Sequence, residues 1–254
     1  MPVGSQAQDY CLPSPSTINR MLRMLTLFQF APGFNVPNLS PYCLKVETYL
    51  RMAGLPYQVK TLGDPRKAPR GKLPFIKLDG QVITDSALIL RTLSSQGADL
   101  DSHLGNAGRA RGLAIARLCD EHLAVLTVYF RWIDDEGWRQ VMPAFFGMLP
   151  RVVRAPVAAI FRRKLHKGYL AQGIGLHERE DLLGFAREDL QALNDLLGTA
   201  AYFGGEQPCS ADASAYGVLA NLILSNLETP LNRMAREYGP LVAYCERVRG
   251  QFWS

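Results

Sequence analysis

Apolar and polar positions along this chain follow two rhythms, and the change between them falls near residue 100. The first half is punctuated by short runs. Leu25–Phe30 (LTLFQF) is apolar and long enough for a buried strand, too short for a helix. A Gly/Pro loop, Ala31–Leu39, follows it. Ser40 then suits a helix N-cap and Pro41 the first helical position, with Leu44, Val46, Leu50 and Ala53 on the apolar side and Gly54 as the stop. Tyr57–Thr61 reads as a second strand. Phe75–Leu78 and Gln81–Thr84 flank Asp79-Gly80, a strong two-residue hairpin signal. Asp85-Ser86 stands where a last helix begins, running through Ala87–Leu93.

Beyond the polar stretch Ser94–Gly108 the period becomes helical almost throughout. Ile115, Cys119, Leu123, Leu126, Phe130 and Ile133 form one stripe. Leu183, Ala186, Leu190, Leu193 and Leu197, closed by Gly198, form a second. Leu241, Cys245, Val248 and Phe252 form a third after Gly239-Pro240. These patterns predict an α/β domain over 21–98 in thioredoxin-like order and an all-α domain over 105–254. The Pro- and Ser-rich start, 1–20, reads as a flexible tail without a signal or transit pattern.

Composition adds exclusions. The 254 residues are 48% hydrophobic and 20% charged, with formal net charge +5 and pI near 9.0. That mild excess suits acidic small molecules or anionic surfaces. No basic run is interleaved with aromatics as in a nucleic-acid groove. Five scattered cysteines form no C-x-x-C pair and the four histidines show no metal spacing, which predicts no structural metal and a reduced, cytoplasmic setting.

The chemistry begins at Ser40-Pro41-Tyr42-Cys43, a C-P-Y-C dithiol motif whose first sulfur is replaced by oxygen. Together with Leu73-Pro74 before a strand, Asp85-Ser86 after the hairpin, and FGGEQPCSADASAYG (Phe203–Gly217), it resembles the glutathione transferase superfamily. VPNLSPYCLKVETYLRMAGLPY, AQGIGLH and YCERVRGQFW are most similar to its failed-axon-connections/metaxin-like branch. The resemblance implies glutathione as co-substrate, an organic electrophile as second partner, and the homodimer common in the superfamily.

It also implies roles. Leu73 and the candidate cis peptide at Pro74 would meet the glutathione backbone. Asp85 and Ser86, at a helix N-terminus suited to a carboxylate, would hold the γ-glutamyl end. Lys72 is the candidate for the glycyl carboxylate. Ser40 is the candidate catalytic residue. A free thiol has a pKa of about 8.5, and making thiolate the major form takes roughly 2.7 kcal/mol. A hydroxyl donating to a charged acceptor supplies about 1.5–3 kcal/mol and a helix N-terminus about 0.3–1 kcal/mol more. Without the first sulfur the mixed disulfide of a thiol reductase cannot form, so nucleophilic transfer leads. A non-catalytic, metaxin-like interaction protein and a thiol reductase remain the alternatives. A tyrosine-type transferase is disfavoured because Leu25–Phe30 offers no tyrosine.

In the second domain Tyr129, Arg131 and Trp132 are candidates for the electrophile pocket. From Gly137 to Leu176 there is no acid, while Arg139, Arg151, Arg154, Arg162, Arg163, Lys164 and Lys167 supply seven positive charges. A solvated basic helix with its apolar side packed inward is preferred there over peripheral membrane contact. Asp212 matches the superfamily's capping-box acid, with Cys209 where Ser or Thr is expected, which predicts a weakened reciprocal cap.

Overall fold

A computed structural model describes residues 25–253; the expected tail at 1–20 and Cys11 lie outside them. Strands β1 (Thr26–Gln29), β2 (Gln58–Thr61), β3 (Phe75–Leu78) and β4 (Gln81–Thr84) form one sheet in the order β2-β1-β3-β4. β1 pairs parallel with β2 and antiparallel with β3, and β3 pairs antiparallel with β4. The parallel pair requires a crossover, which helix α1 (Pro41–Met52) supplies. Helix α2 (Ser86–Ser95) follows the hairpin. Leu25, Leu27, Ile76 and Leu78 of the sheet pack with Val46, Tyr49 and Leu50 of α1 and Ile89, Leu90 and Leu93 of α2.

The remaining helices are α3 (Asn106–Arg117), α4 (Ala124–Trp132), α5 (Asp135–Phe146), α6 (Arg151–Gln172), α7 (Arg179–Leu197), α8 (Ser210–Ile223), α9 (Pro230–Ala235) and α10 (Gly239–Phe252). Between α3 and α4 the chain widens into a π-helical segment, Leu118–Leu123. All six residues of the first apolar stripe are buried, across that widening. In the second stripe Leu182 rather than Leu183 takes the buried position, and in the third Phe252 packs only partly. The connection after α2 is fastened: Tyr49 donates to Ala98 O, and Asp101 accepts from the Ser210 amide at 2.7 Å and its hydroxyl at 2.6 Å.

α8 is buried along nearly its whole length and is the axis on which both halves meet. At Gly217 an added Cβ would lie 2.6 Å from Pro41 O and 3.1 Å from Lys45 Cβ, so only glycine lets α1 come this close. Lys45 of α1 pairs with Asp120 of the π segment, both buried. Burial pushes the Asp120 carboxyl above its usual range, and the Lys45 ammonium pulls it back. Arg131 donates to Leu39 O and, at 2.9 Å, to Asn221 Oδ1, while Asn221 Nδ2 donates to Asn38 O at 3.1 Å.

Two expectations are corrected. The Asp212 cap is not weakened: its buried carboxylate accepts from the Cys209 amide (2.8 Å), the Phe203 amide (2.9 Å) and the Tyr244 hydroxyl (3.1 Å), and both halves of the capping box form. The extra donors compensate for a sulfur at the cap, which is a weak acceptor. The basic helix α6 does not turn its apolar side inward either. Only Ala158 and Tyr169 are buried on it, while Val152 and Ile160 face solvent.

Gly217→Ala forces α1 off α8, and overpacking of this kind costs about 1–3 kcal/mol. The variant is expected to melt roughly 2–10 °C below the parent. Thermal unfolding checks this, and an unchanged melting temperature would show that the helix contact is soft.

Candidate functional site

Between the two halves lies a cavity of about 510 Å³ lined by Tyr42, Arg70, Lys72, Leu73, Pro74, Thr84, Asp85, Ser86, Ala87, Asp120 and Glu121. Its wall is built by four local devices. Leu73-Pro74, a cis pair, stands directly before β3 and lines the cavity. The hairpin delivers Thr84 at the end of β4. Asp85 then caps α2, its Oδ1 accepting from the amides of Ala87 (2.9 Å) and Leu88 (3.2 Å), which leaves Oδ2 for another donor. The opposite wall is the π segment, whose extra residue per turn displaces Asp120 and Glu121 from a regular helical track.

Asp85 sits at φ 76° and ψ 127°, a conformation that non-glycine residues rarely adopt. Strain of this kind costs of order 1–3 kcal/mol and collects at binding sites. Ser86, the first residue of α2, is buried with its amide at the open end of the helix, where anions are favoured. Arg70 and Lys72, both exposed on the rim, give the cavity two cations against Asp85, Asp120 and Glu121. Both charge signs are therefore available to a zwitterionic ligand.

The structure gathers Lys72, Leu73, Pro74, Asp85 and Ser86 around this one cavity. Ser40 is not among its lining residues. Ser40 caps α1, its Oγ accepting from the Cys43 amide at 3.3 Å. A hydroxyl that accepts in a cap keeps its own proton to donate. Within the protein that donor is close to the Cys43 thiol, which burial pushes up to about 12 and the Ser40 hydroxyl pulls down. Cys43 is accordingly a buried neutral thiol.

Tyr42, two residues beyond Ser40, does line the cavity and donates its hydroxyl to Asp120 O at 2.8 Å. Burial first, then the Asp120 carboxylate, raises its pKa, so it stays a neutral phenol. The loop before Ser40 folds into a tight turn, with Phe34 and Asn35 at φ 52° and 63°. It leans away onto the helical half: Asn35 Nδ2 donates to Leu224 O, Asn226 N to Phe34 O, and Phe34 stacks on Phe145 at 6.3 Å.

The three candidates for the second pocket separate. Tyr129 lines a different cavity of about 460 Å³ with Ile133, Ala159, Arg162, Arg163 and His166. Trp132 packs edge-on against Phe145 and Phe161. Arg131 is corrected: it is fully buried at the junction of the halves and lines neither cavity, and desolvation lowers its pKa to about 10. Among the described residues no group of three or more His, Cys, Asp or Glu is placed to hold a metal ion.

Comparison with known proteins gives this arrangement its context. The profile of the glutathione S-transferase N-terminal domain matches residues 41–137, and that of the glutathione S-transferase C-terminal domain matches 186–248. An isoprene-epoxide–glutathione S-transferase of Rhodococcus sp. (strain AD45) is 32% identical over 237 residues, covering 90% of this chain and 99% of that protein. The chain belongs to the glutathione S-transferase family. Failed axon connections of Drosophila melanogaster is 33% identical over 89% of the chain, which spans only 57% of that longer protein. Metaxin-2 of Homo sapiens is 26% identical, over 83% of this chain and 81% of its own. A Methylobacterium radiotolerans glutathione S-transferase solved with glutathione sulfonate shares the fold at TM-score 0.56 and 18% identity, with 90% and 91% of the two chains covered.

Tyr42, Arg70, Asp120 and Glu121 also line this cavity, and sequence reading passed over them. Tyr42 stood inside the Ser40-Pro41-Tyr42-Cys43 motif without a role, and Arg70, two residues before Lys72, was given none. Asp120 and Glu121 carried one usable signal, an acid pair amid an apolar stripe.

Asp85 separates cap from strain. Asp85→Ala, which loses the cap and keeps the unfavourable φ, is expected to lower unfolding free energy by about 1–3 kcal/mol. Asp85→Gly, which relieves the backbone, is expected to cost under about 1 kcal/mol. Chemical denaturation of both variants checks the order, and equal losses would remove strain from the account.

Proposed function

We propose that this protein binds glutathione in the cavity between its two halves and directs the thiolate at a small electrophile, an epoxide being the first class to test. The observation that carries the reading is the convergence of Lys72, Leu73, Pro74, Asp85 and Ser86 on one cavity. Lys72 pairs with the glycyl carboxylate, the backbone of Leu73 meets the cysteinyl segment, and the α2 N-terminus with Ser86 takes the γ-glutamyl carboxylate. Asp85 Oδ2 faces the γ-glutamyl amine.

The epoxide class is suggested by the printed name of the Rhodococcus relative, whose length this chain matches almost completely. In that reaction the thiol proton leaves to solvent and sulfur attacks a ring carbon. A C–S bond forms, the C–O bond breaks, and the alkoxide takes a proton from water. Ser40 donates to the sulfur while its lone pair still caps α1. Cytoplasmic residence belongs to the same proposal, since the reaction consumes reduced glutathione. Among the described residues no helix is long and apolar enough to cross a membrane.

A second reading has one observation in its favour. Ser40 lies outside the cavity lining and its hydroxyl is close to Cys43, an arrangement that serves a helix cap alone. On that reading the fold is kept for protein contacts.

Calorimetric titration of glutathione into the full chain distinguishes the two. Saturable binding that Lys72→Ala weakens about tenfold supports the first reading, and no heat at millimolar glutathione supports the second. If binding is present, Ser40→Ala is expected to raise the pKa of the bound thiol by about one to two units, from the roughly 1.5–3 kcal/mol of a hydroxyl bond to an anion. Thiolate absorbance against pH reads this directly, and an unmoved titration would remove Ser40 from the chemistry.

A further inference from the structure

The outward face of α6 carries an amphipathic pattern that the glutathione site does not use. Val152, Pro156, Ile160, Arg163 and Lys167 follow one another at steps of four and three, so they share one side of the helix. Ala158 and Tyr169, the buried pair, lie on the opposite side. The outward face is thus apolar for its first three turns and basic after Ile160. Met148, just before the helix, is 97% exposed, Val152 86% and Ile160 67%. These are values for side chains that stand clear of the surface. Val153 and Val157 flank them and are exposed as well.

Charge distinguishes the occupants such a face could take. Arg154 and Arg162 of the basic stretch are committed to the protein, the first to Gly147 O and Leu149 O, the second to Asp135. Among the described residues Arg139, Arg151, Arg163, Lys164 and Lys167 are exposed and enter none of the ion pairs. The sequence holds no acid between Gly137 and Leu176, and of these five only Arg139 has a neighbouring carboxylate in Asp135. A second copy of the chain docked face to face would set this patch against itself, as two-fold interfaces do, and oppose like charges. A peptide partner would need a groove, and here the apolar groups project.

We propose that the outward face of α6, with Met148, docks on an anionic lipid bilayer. The apolar first half enters the boundary between headgroups and acyl chains. Arg163, Lys164 and Lys167 reach phosphate and carboxylate headgroups about 10 Å further along the helix, from its rise of 1.5 Å per residue. Exposed apolar side chains adjoining unneutralised cations fit an interface that is apolar inside and negative outside. The attachment is peripheral and reversible, and uses none of the residues that line the cavity between the halves.

The test is co-sedimentation of the full chain with vesicles of phosphatidylcholine alone or of phosphatidylcholine with phosphatidylserine. The expected result is binding to the phosphatidylserine vesicles only, weakened by added salt as exposed charges are screened. The double variant Val152→Ser/Ile160→Ser, both residues exposed, is expected to lose at least about tenfold in partitioning with unchanged circular dichroism and melting temperature. Lys164→Glu/Lys167→Glu is expected to do the same. Equal partitioning onto both vesicles, or none, overturns the proposal. Binding that needs the lysines but not Val152 and Ile160 also overturns it, since the face would then be an unspecific cationic patch. So does a dimer in sedimentation velocity that Val152→Ser/Ile160→Ser dissolves, because a second copy would then be the occupant.

Discussion

The contact between α1 and α8 at Gly217 is the constraint on which the other features rest. Backbone-to-backbone approach at this point brings the N-terminus of α1 against the helical half. It also buries a lysine–aspartate pair and an arginine that would each be costly alone. Removing one member of such a pair leaves a buried charge unmatched, worth about 3–5 kcal/mol, so the junction tolerates little piecemeal change. Arg131 spends its donors on Leu39 O and Asn221, and Asn221 in turn holds Asn38 O. The loop that ends at Ser40 is thereby fixed by the helical half as much as by its own sheet.

The cavity follows from this junction. One wall is Leu73-Pro74, Thr84 and the start of α2, and the facing wall is the π segment. Neither half closes it alone. The widened turn that carries Asp120 and Glu121 places Asp120 where it serves both the ion pair to Lys45 and the acceptor for Tyr42. Stability and site geometry share that residue, so substitutions at Asp120 confound the two, whereas Lys72 on the rim does not.

Much of the architecture was legible because local signals agreed with one another. Asp79-Gly80 gave a hairpin, Ser40-Pro41 and Asp85-Ser86 gave helix starts, and the apolar stripes gave the buried faces of three helices. The π turn inside the first stripe was not legible, because Ile115, Cys119 and Leu123 at steps of four are equally the face of a regular α-helix. What stayed illegible depended on long-range packing. Arg131 was a pocket candidate because it lies in an aromatic-rich stretch of the helical domain, and only the arrival of Leu39 and Asn221 makes it internal. The outward apolar face of α6 was equally hidden, because period alone does not say which side of a helix finds a neighbour.

Cys43, Cys119, Cys209 and Cys245 are all buried, and burial raises the pKa of each. Among the described residues, then, the chain offers no thiolate to an oxidant. Wherever small thiols and disulfides exchange with protein cysteines, these four are shielded by the core around them, and the surrounding packing has to open before any of them can react.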